Sequence, residues 1–161
     1  TMLENVTLRT AVEFAIATEQ LGAEVYEKLA RRFADQQELR EVFGTLARDE
    51  TAHEREFRAL LERLPQEQPL AYEQQQYLRA MSISEVFADG DGLRRDLDGI
   101  KGRDDALERV LRLEKHTLAY YQAMKDLLGP SEALDAIIAA EKRHVVQVMQ
   151  YLITSEKIKA L

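Results

Sequence analysis

Apolar residues recur along most of the chain at alternating steps of three and four positions, the spacing that places side chains on one face of an α-helix. The pattern predicts four long helices, at about residues 7–34, 37–64, 105–128 and 131–157. Only 7 glycines and 3 prolines occur among the 161 residues, so little within these ranges would interrupt a helix. We therefore expect a predominantly helical protein.

Local signals mark the ends of these helices. Thr7 is the expected N-cap of the first, and Asp105, followed three residues later by Glu108, is expected to form a capping box at the start of the third. Residues that favour a helix boundary stand at three further places: Pro65, Gly129-Pro130 and Ser131. The predicted ranges therefore have start and stop signals as well as a periodic apolar face.

The segment between the second and third helices, about residues 65–104, lacks a long helical pattern. It includes an Asp-Gly-Asp-Gly run at 89–92, so we expect irregular structure with short helical turns near residues 70–81 and 84–87. A helix of about 28 residues is about 40 Å long, and an extended chain spans that distance in about 12 residues. The predicted fold is all-α: a ferritin-like four-helix bundle in which two antiparallel hairpins are joined by a long crossover, with residues 1–161 forming one domain.

Ionisable residues interrupt the apolar face of every predicted helix near its middle. One glutamate stands on the first helix and one on the third, and a Glu-x-x-His pair stands on the second and on the fourth. The six residues are Glu19, Glu50, His53, Glu114, Glu141 and His144. Burial of each carboxylate without a partner would cost several kcal/mol, so we expect bound divalent cations to compensate them.

The spacing of these six residues agrees with a single shared site. Residues three apart lie on one face of a helix, so each Glu-x-x-His presents one oxygen and one nitrogen ligand towards the same point. Glu19 and Glu50 lie about equally far from the first predicted turn, and Glu114 and Glu141 are similarly placed about the second. A lone glutamate followed by Glu-x-x-His occurs twice, so the two hairpins are predicted to be an internal repeat.

Three further residues are candidates for supporting this site. Tyr26 and Tyr121 each follow a lone glutamate by seven residues, and their hydroxyls are candidates for hydrogen bonds to ligand carboxylates, although ordinary core packing explains them equally well. Asp49 is a candidate for orienting a histidine across the bundle, with His144 as the expected partner. The equivalent position in the second repeat is Ala140, which offers no such contact.

Composition restricts the chemistry further. The sequence has no cysteine, which excludes disulfides, thiolate zinc sites and iron–sulfur clusters, so any metal must be held by carboxylate and imidazole groups. That donor set suits iron or manganese and would also accept zinc. The formal net charge of -7 argues against nucleic acid as a partner. No apolar run approaches the roughly 20 residues that span a bilayer, so we expect a cytoplasmic protein without a membrane partner.

Three segments, residues 19–26, 49–53 and 114–121, resemble the ligand helices of the rubrerythrin-like branch of the ferritin-like di-iron carboxylate proteins. The resemblance covers both predicted hairpins and implies two bound iron ions. It also implies that the glutamates of the two Glu-x-x-His pairs, Glu50 and Glu141, bridge the ions. The remaining ligands would be terminal ones, divided between the two ions: Glu19, Glu114, His53 and His144. All six would then be catalytic residues as well as metal ligands.

The resemblance has a consequence for electron transfer. Rubrerythrins proper carry a rubredoxin domain whose iron is bound by cysteine, and this sequence has no cysteine. Electrons are therefore expected from a separate donor protein. The family also has a glutamate one turn beyond the ligand on the third helix, where this sequence has Thr117.

Three functions remain open at the level of the sequence. The favoured one is an oxidoreductase in which a reduced di-iron centre reacts with peroxide or dioxygen, in a homodimer or higher homo-oligomer. The second is a ferritin-like ferroxidase for iron storage or detoxification, which would have to assemble into a large shell. The third is a helical bundle that its metals only stabilise. Native mass distinguishes the first two, and single-turnover oxidation of the ferrous protein tests the third.

Overall fold

The structure is a computed structural model, and it describes residues 6–66, 69–82 and 97–160. Five helices lie wholly within these ranges: α1 Leu8–Arg32, α2 Gln37–Arg63, α3 Tyr72–Ser82, α4 Arg103–Leu128 and α5 Glu132–Lys159. The bounds of the four long helices differ from the predicted ones by no more than two residues at either end. No β-strand occurs in the part of the chain that the structure describes.

The four long helices form two antiparallel hairpins, α1 with α2 and α4 with α5. Contacts between the hairpins give their relative direction: Tyr26 of α1 contacts Glu114 of α4. Tyr121 of α4, in turn, contacts Glu19 of α1. Because the later residue of each helix meets the earlier residue of the other, α1 and α4 run antiparallel, and α2 must run parallel to α4. The predicted all-α, ferritin-like bundle is confirmed.

The connection from α2 to α4 is anchored at both ends of α1. Near its start, Pro69 forms an isolated bridge with Thr7, the residue before α1. Near its end, the side chain of Arg32, the last residue of α1, donates hydrogen bonds to the carbonyl oxygens of Leu97, at 2.8 Å, and Ile100. The connection therefore passes from one end of the bundle to the other, as a crossover must.

Helix α3 lies within this crossover. It has 11 residues, whereas the sequence analysis expected only short helical turns there. Its Leu78 is fully buried in the apolar cluster that also contains Val12 and Leu134. Full burial of one leucine contributes about 1.5–3 kcal/mol, which accounts for a continuous helix at this place. The turn predicted at residues 84–87 lies outside the described residues.

The caps predicted for the first and fourth long helices are present. Thr7 Oγ1 accepts a hydrogen bond from the Thr10 amide at 3.2 Å, and Thr10 Oγ1 accepts one from the Thr7 amide at 2.8 Å, which completes a capping box. Ser131 Oγ accepts a hydrogen bond from the Leu134 amide at 3.2 Å. The predicted stop after α4 is also present, since Gly129 adopts a φ of 77°, in the left-handed region that favours glycine.

The cap predicted at Asp105 is wrong. Helix α4 begins two residues earlier, at Arg103. Its N-cap is Gly102, which has no side chain to accept a capping hydrogen bond. Asp105 stands in the first turn, where its carboxylate accepts hydrogen bonds from the Lys101 amide at 2.9 Å and from Arg109 Nε at 3.0 Å. A carboxylate there satisfies a backbone donor ahead of the helix and interacts favourably with the helix dipole. It therefore supports the start of the helix from inside the first turn.

Two apolar clusters fill the interior, one towards each end of the bundle. The first includes Val25, Leu29, Phe43, Leu107, Val110 and Val148. The second includes Val12, Ile16, Phe57, Met124, Leu134 and Ile137. The middle section between them is polar, and it contains the ionisable residues that interrupt the apolar faces.

Candidate metal centre

Six ionisable side chains occupy the interior between the two apolar clusters, and we call them the central cluster. Helices α1 and α4 contribute one glutamate each, and α2 and α5 contribute one Glu-x-x-His pair each. The exposed fractions of the six residues are Glu19 0%, Glu141 0%, Glu114 2%, His144 2%, Glu50 3% and His53 7%. The structure therefore brings together, in a dry interior, all six residues that the sequence analysis proposed.

The ligand atoms of the central cluster form two overlapping groups of four. The first group consists of Glu19, Glu50, His53 and Glu141. The second group consists of Glu50, Glu114, Glu141 and His144. Within each group, one ligand atom from each residue lies within 4.8 Å of all the others. Because Glu50 and Glu141 belong to both groups, the geometry is that of two neighbouring cation positions that share two carboxylates.

Each imidazole of the central cluster turns its Nδ1 atom towards the carboxylates. His53 Nδ1 lies 3.0 Å from Glu141 Oε1 and 3.6 Å from Glu19 Oε2. His144 Nδ1 lies 3.2 Å from Glu114 Oε2 and 3.6 Å from Glu141 Oε2. The two rings are stacked, with 5.8 Å between their centroids. Both histidines therefore present the same nitrogen to the interior.

The outer nitrogen of His144 has a partner of its own. His144 Nε2 lies 2.9 Å from Asp49 Oδ2, the pair that the sequence analysis named. The Asp49 side chain is 45% exposed, whereas that of His144 is 3% exposed, so this carboxylate connects the central cluster with the surface. Among the described residues, none hydrogen-bonds to Nε2 of His53.

The two tyrosines near the central cluster bond across the bundle rather than along their own helices. The Tyr26 hydroxyl donates a hydrogen bond to Glu114 Oε1, and the Tyr121 hydroxyl donates one to Glu19 Oε1 at 2.5 Å. Both side chains are fully buried. Burial and the nearby carboxylates raise the pKa of both tyrosines well above the usual value, so their hydroxyls keep their protons. Each lone glutamate therefore has one oxygen held by a tyrosine of the other hairpin.

Burial and mutual repulsion make two of the carboxyl groups hard to ionise when no metal is bound. They raise the pKa of Glu50 well above its usual value and that of Glu114 to about 8, and the Glu141 carboxylate contributes most of the repulsion in both cases. Glu141 behaves differently. Burial raises its pKa too, but contacts with His144 and His53 outweigh that effect and hold it at about 2. The metal-free cluster thus has one carboxylate that is strongly held in the charged form.

The imidazoles of the central cluster are strong bases in the metal-free protein. Burial lowers the pKa of both, but contacts with carboxylates outweigh it. Glu141 and Glu19 raise the pKa of His53 to about 9. Glu114 and Glu141 raise that of His144 to about 11. Protons on the histidines therefore supply, in the absence of metal, part of the positive charge that the carboxylates require.

Those protons do not satisfy every carboxylate oxygen. Glu19 Oε2 and both oxygens of Glu141 are buried and form no aligned hydrogen bond with any described residue. An unsatisfied buried acceptor costs about 1–3 kcal/mol, and more when it is charged. Cations at the two positions would satisfy these oxygens, and carboxylate with imidazole is a donor set that suits iron, manganese or zinc. The residues present therefore fit a pair of metal ions.

Gly22 makes room for one of the shared carboxylates, and the sequence analysis did not identify it. A methyl group on Gly22 would lie 3.3 Å from Glu50 Oε2, a tighter approach than most side chains make. Glycine in a helix interior costs about 1 kcal/mol relative to alanine. Gly22 lies in the middle of α1, three residues after Glu19 and on the same face. A glycine at such a position indicates a close approach by another group, so its role could have been predicted from the sequence.

Comparison with known families agrees with this geometry. The rubrerythrin family model matches residues 10–150, a range that includes every residue of the central cluster. No curated protein and no solved structure matches the chain. None of the helices in the described ranges is both long enough and apolar enough to cross a bilayer.

Proposed function

Because the chain belongs to the rubrerythrin family, we propose that the central cluster binds two iron ions and that the reduced centre transfers electrons to peroxide or dioxygen. The observation that carries the proposal is the pair of four-residue groups that share Glu50 and Glu141. Two bound ferrous ions would supply one electron each, and these two electrons together with two protons would reduce one hydrogen peroxide molecule to two water molecules.

The chain's contribution is to hold two ions side by side and to keep water away from them. Glu19 and His53 would hold one ion and Glu114 and His144 the other, and the two shared glutamates would contribute to both. No member of the central cluster is more than 7% exposed, and the apolar clusters close the interior on both sides. Electrostatic interactions in such a dry site are stronger than in water.

The two tyrosines determine which carboxylate oxygen is available to a metal. The Tyr121 hydroxyl occupies Glu19 Oε1, which leaves Oε2, one of the unsatisfied atoms, for an ion. The Tyr26 hydroxyl occupies Glu114 Oε1 in the same way. Because both hydroxyls remain protonated, they hold these carboxylates in fixed orientations and do not compete as ligands.

The proposal includes the source of electrons and the assembly. The sequence has no cysteine, so no rubredoxin-type iron site can be formed by these residues, and we propose a separate electron-donor protein. We also propose a homodimer or higher homo-oligomer. A native mass corresponding to a large closed shell would instead favour ferroxidase-based iron storage, which would use the same centre.

Rapid mixing with peroxide tests the proposed reaction. The protein is loaded anaerobically with two equivalents of ferrous iron and mixed with hydrogen peroxide in a stopped-flow spectrometer. We expect a single-turnover rise in near-ultraviolet absorption, because ferric carboxylate centres absorb more strongly there than ferrous ones. Glu141→Gln should abolish the rise, whereas Glu56→Gln, at an exposed position of α2, should behave as the unaltered protein. An unchanged spectrum in protein that holds two ferrous ions would end the enzymatic proposal and leave a structural role.

A further inference from the structure

The two hairpins place their ligand residues and tyrosines in matching roles around the central cluster. Glu19 corresponds to Glu114, and each is bound by the tyrosine of the other hairpin. The two Glu-x-x-His pairs correspond as well, and both histidines present Nδ1 to the interior. The residue before each Glu-x-x-His pair differs, since it is Asp49 in the first hairpin and Ala140 in the second.

This difference affects only one of the two histidines. The side chains cross between hairpins, so Asp49 of α2 meets His144 of α5, with 2.9 Å between Oδ2 and Nε2. By the same symmetry, the partner of His53 would have to come from position 140. An alanine there has no acceptor, and no described residue replaces it at His53 Nε2. Within the described part of the chain, the outer nitrogen of His144 is therefore held by a carboxylate and that of His53 is not.

A carboxylate on the outer nitrogen changes an imidazole as a metal ligand. It accepts a hydrogen bond from Nε2–H and so fixes the tautomer in which Nδ1 carries the lone pair. It also fixes the plane of the ring and raises the basicity of the ligating nitrogen. Loss of such a partner typically lowers metal affinity by about 10–100-fold. His144 has this support, whereas no described residue gives it to His53.

We propose that Asp49 is a positioning residue that makes the two metal positions unequal. The position completed by Glu114 and His144 fills first and holds its ion more tightly than the position completed by Glu19 and His53. The shared glutamates belong to both ligand groups, whereas Asp49 contacts only the histidine of one group. This inference rests on the proposed metal centre, and it adds an order of loading to it.

Stepwise metal binding tests the inference without any reference to turnover. Co²⁺ is titrated into the metal-free protein, followed by calorimetry and by the visible absorption of the bound ion. In the unaltered protein we expect two steps of different affinity. Asp49→Ala should weaken the first step by about 10–100-fold and leave the second within a few-fold, because only the better position loses its support. Asp49→Asn keeps an acceptor without the charge. Its first-step affinity should lie between that of the unaltered protein and that of Asp49→Ala.

The second hairpin offers the reciprocal variant. Ala140→Asp would supply His53 with the carboxylate that it lacks, so the second step should strengthen while the first changes little. Glu56→Ala removes an exposed acid from α2 and is the control for a general loss of negative charge. If Ala140→Asp does not fold, the comparison of Asp49→Ala with Glu56→Ala still tests the role of Asp49.

The possible outcomes separate this inference from the metal centre itself. Weakening of the first step alone in Asp49→Ala supports the inference. Equal weakening of both steps would show a merely structural role for Asp49, and unchanged steps would show that it has no role. Either result would overturn the inference while the proposed metal centre stands. If the unaltered protein binds no Co²⁺ at all, the metal centre fails and the inference falls with it.

Discussion

The absence of a side chain at Gly22 leaves the space that Glu50 occupies. A methyl group there would lie 3.3 Å from Glu50 Oε2, so Gly22→Ala would displace the shared carboxylate by a few tenths of an ångström. A displacement of that size uses up most of the roughly 0.5 Å within which a metal ligand must be held. We expect the affinity for Co²⁺ to fall by about tenfold, measured by calorimetric titration of the metal-free protein.

Gly44→Ala on α2 is the matched control for that substitution. Within 4 Å its added methyl group would meet only Arg48 Nη1, at 3.6 Å, an ordinary van der Waals distance. Both substitutions remove a glycine from a helix interior, which favours the helix by about 1 kcal/mol. Gly44→Ala should therefore leave Co²⁺ affinity unchanged. Equal Co²⁺ affinities in the two variants would contradict the packing argument.

Tyr121→Phe removes the hydroxyl that holds Glu19 but keeps the buried ring. Without that hydrogen bond the carboxylate can rotate, so we expect metal affinity to fall by roughly tenfold. Tyr120→Phe is the control, because its hydroxyl donates to the Ala11 carbonyl oxygen at 2.8 Å and not to the central cluster. It should cost about 1 kcal/mol of stability and leave metal affinity unchanged. The same metal affinity in both variants would show that the Tyr121 hydroxyl does not support the metal centre.

At the residue scale, the members of the central cluster could be predicted because periodicity alone decides which face of a helix a residue occupies. Their role as ligands stays a prediction. The bonding partners were harder to predict. Tyr26 follows Glu19 by seven residues, yet its hydrogen bond runs to Glu114, which depends on how α1 packs against α4. The position of Gly22 in a helix interior indicates a close approach, but the group that approaches it depends on tertiary packing.

At the scale of the element, α1 begins with two threonines that cap it reciprocally. Thr7→Ala would leave the Thr10 amide without its acceptor, and we expect the free energy of unfolding to fall by about 1 kcal/mol. Urea denaturation of the metal-free protein measures this change. Thr7 is 12 residues before Glu19, so metal affinity should remain the same. A loss much larger than about 2 kcal/mol would show that the start of α1 does more than cap a helix.

The helices themselves were predictable, since apolar faces longer than 20 residues and clear stop signals leave little choice. Two details were not. An aspartate near a helix start can bond forwards as an N-cap or backwards from the first turn, and the Asp105 side chain bonds backwards to the Lys101 amide. The length of α3 depends on Leu78, whose full burial follows from tertiary packing and not from local pattern.

For the whole molecule, the metal-free protein is expected to lose stability as the pH rises from about 4.5 to about 9. The pKa of His53 in the folded protein is about 9, above its usual 6.5, and that of Glu114 is about 8, above its usual 4.5. Both groups bind protons more tightly when folded. The resulting stability is complete below each unfolded pKa and is lost as the pH rises through the folded pKa. Glu141, with a pKa of about 2, acts in the opposite sense, but only below about pH 4.5.

Urea denaturation of the metal-free protein at pH 6 and pH 9 measures this effect, and we expect the free energy of unfolding to fall by several kcal/mol between them. Metal ions would displace the same protons, so Co²⁺ affinity should increase from pH 6 to pH 8 with release of protons. Equal stability at both pH values would contradict the proton balance described for the central cluster.

The path of the chain through the whole molecule could be predicted from the length of the connecting segment and from the stop signals of the helices. A 40-residue segment without a long helix, between two hairpins, has room to cross the bundle. What the sequence could not supply was the anchoring of that path, through the Thr7–Pro69 bridge and the hydrogen bonds of Arg32. Those contacts join residues more than 60 positions apart, and no local signal encodes them.

The stoichiometry of bound metal tests the central claim most directly. Metal-free protein is dialysed anaerobically against ferrous iron at saturating concentration, and bound iron is measured by elemental analysis. Two ions per chain are expected, falling below one in Glu50→Gln because that side chain belongs to both ligand groups, while Glu56→Gln retains two. A chain that takes up no ion at saturation, or a Glu50→Gln variant that still binds two, would contradict the account.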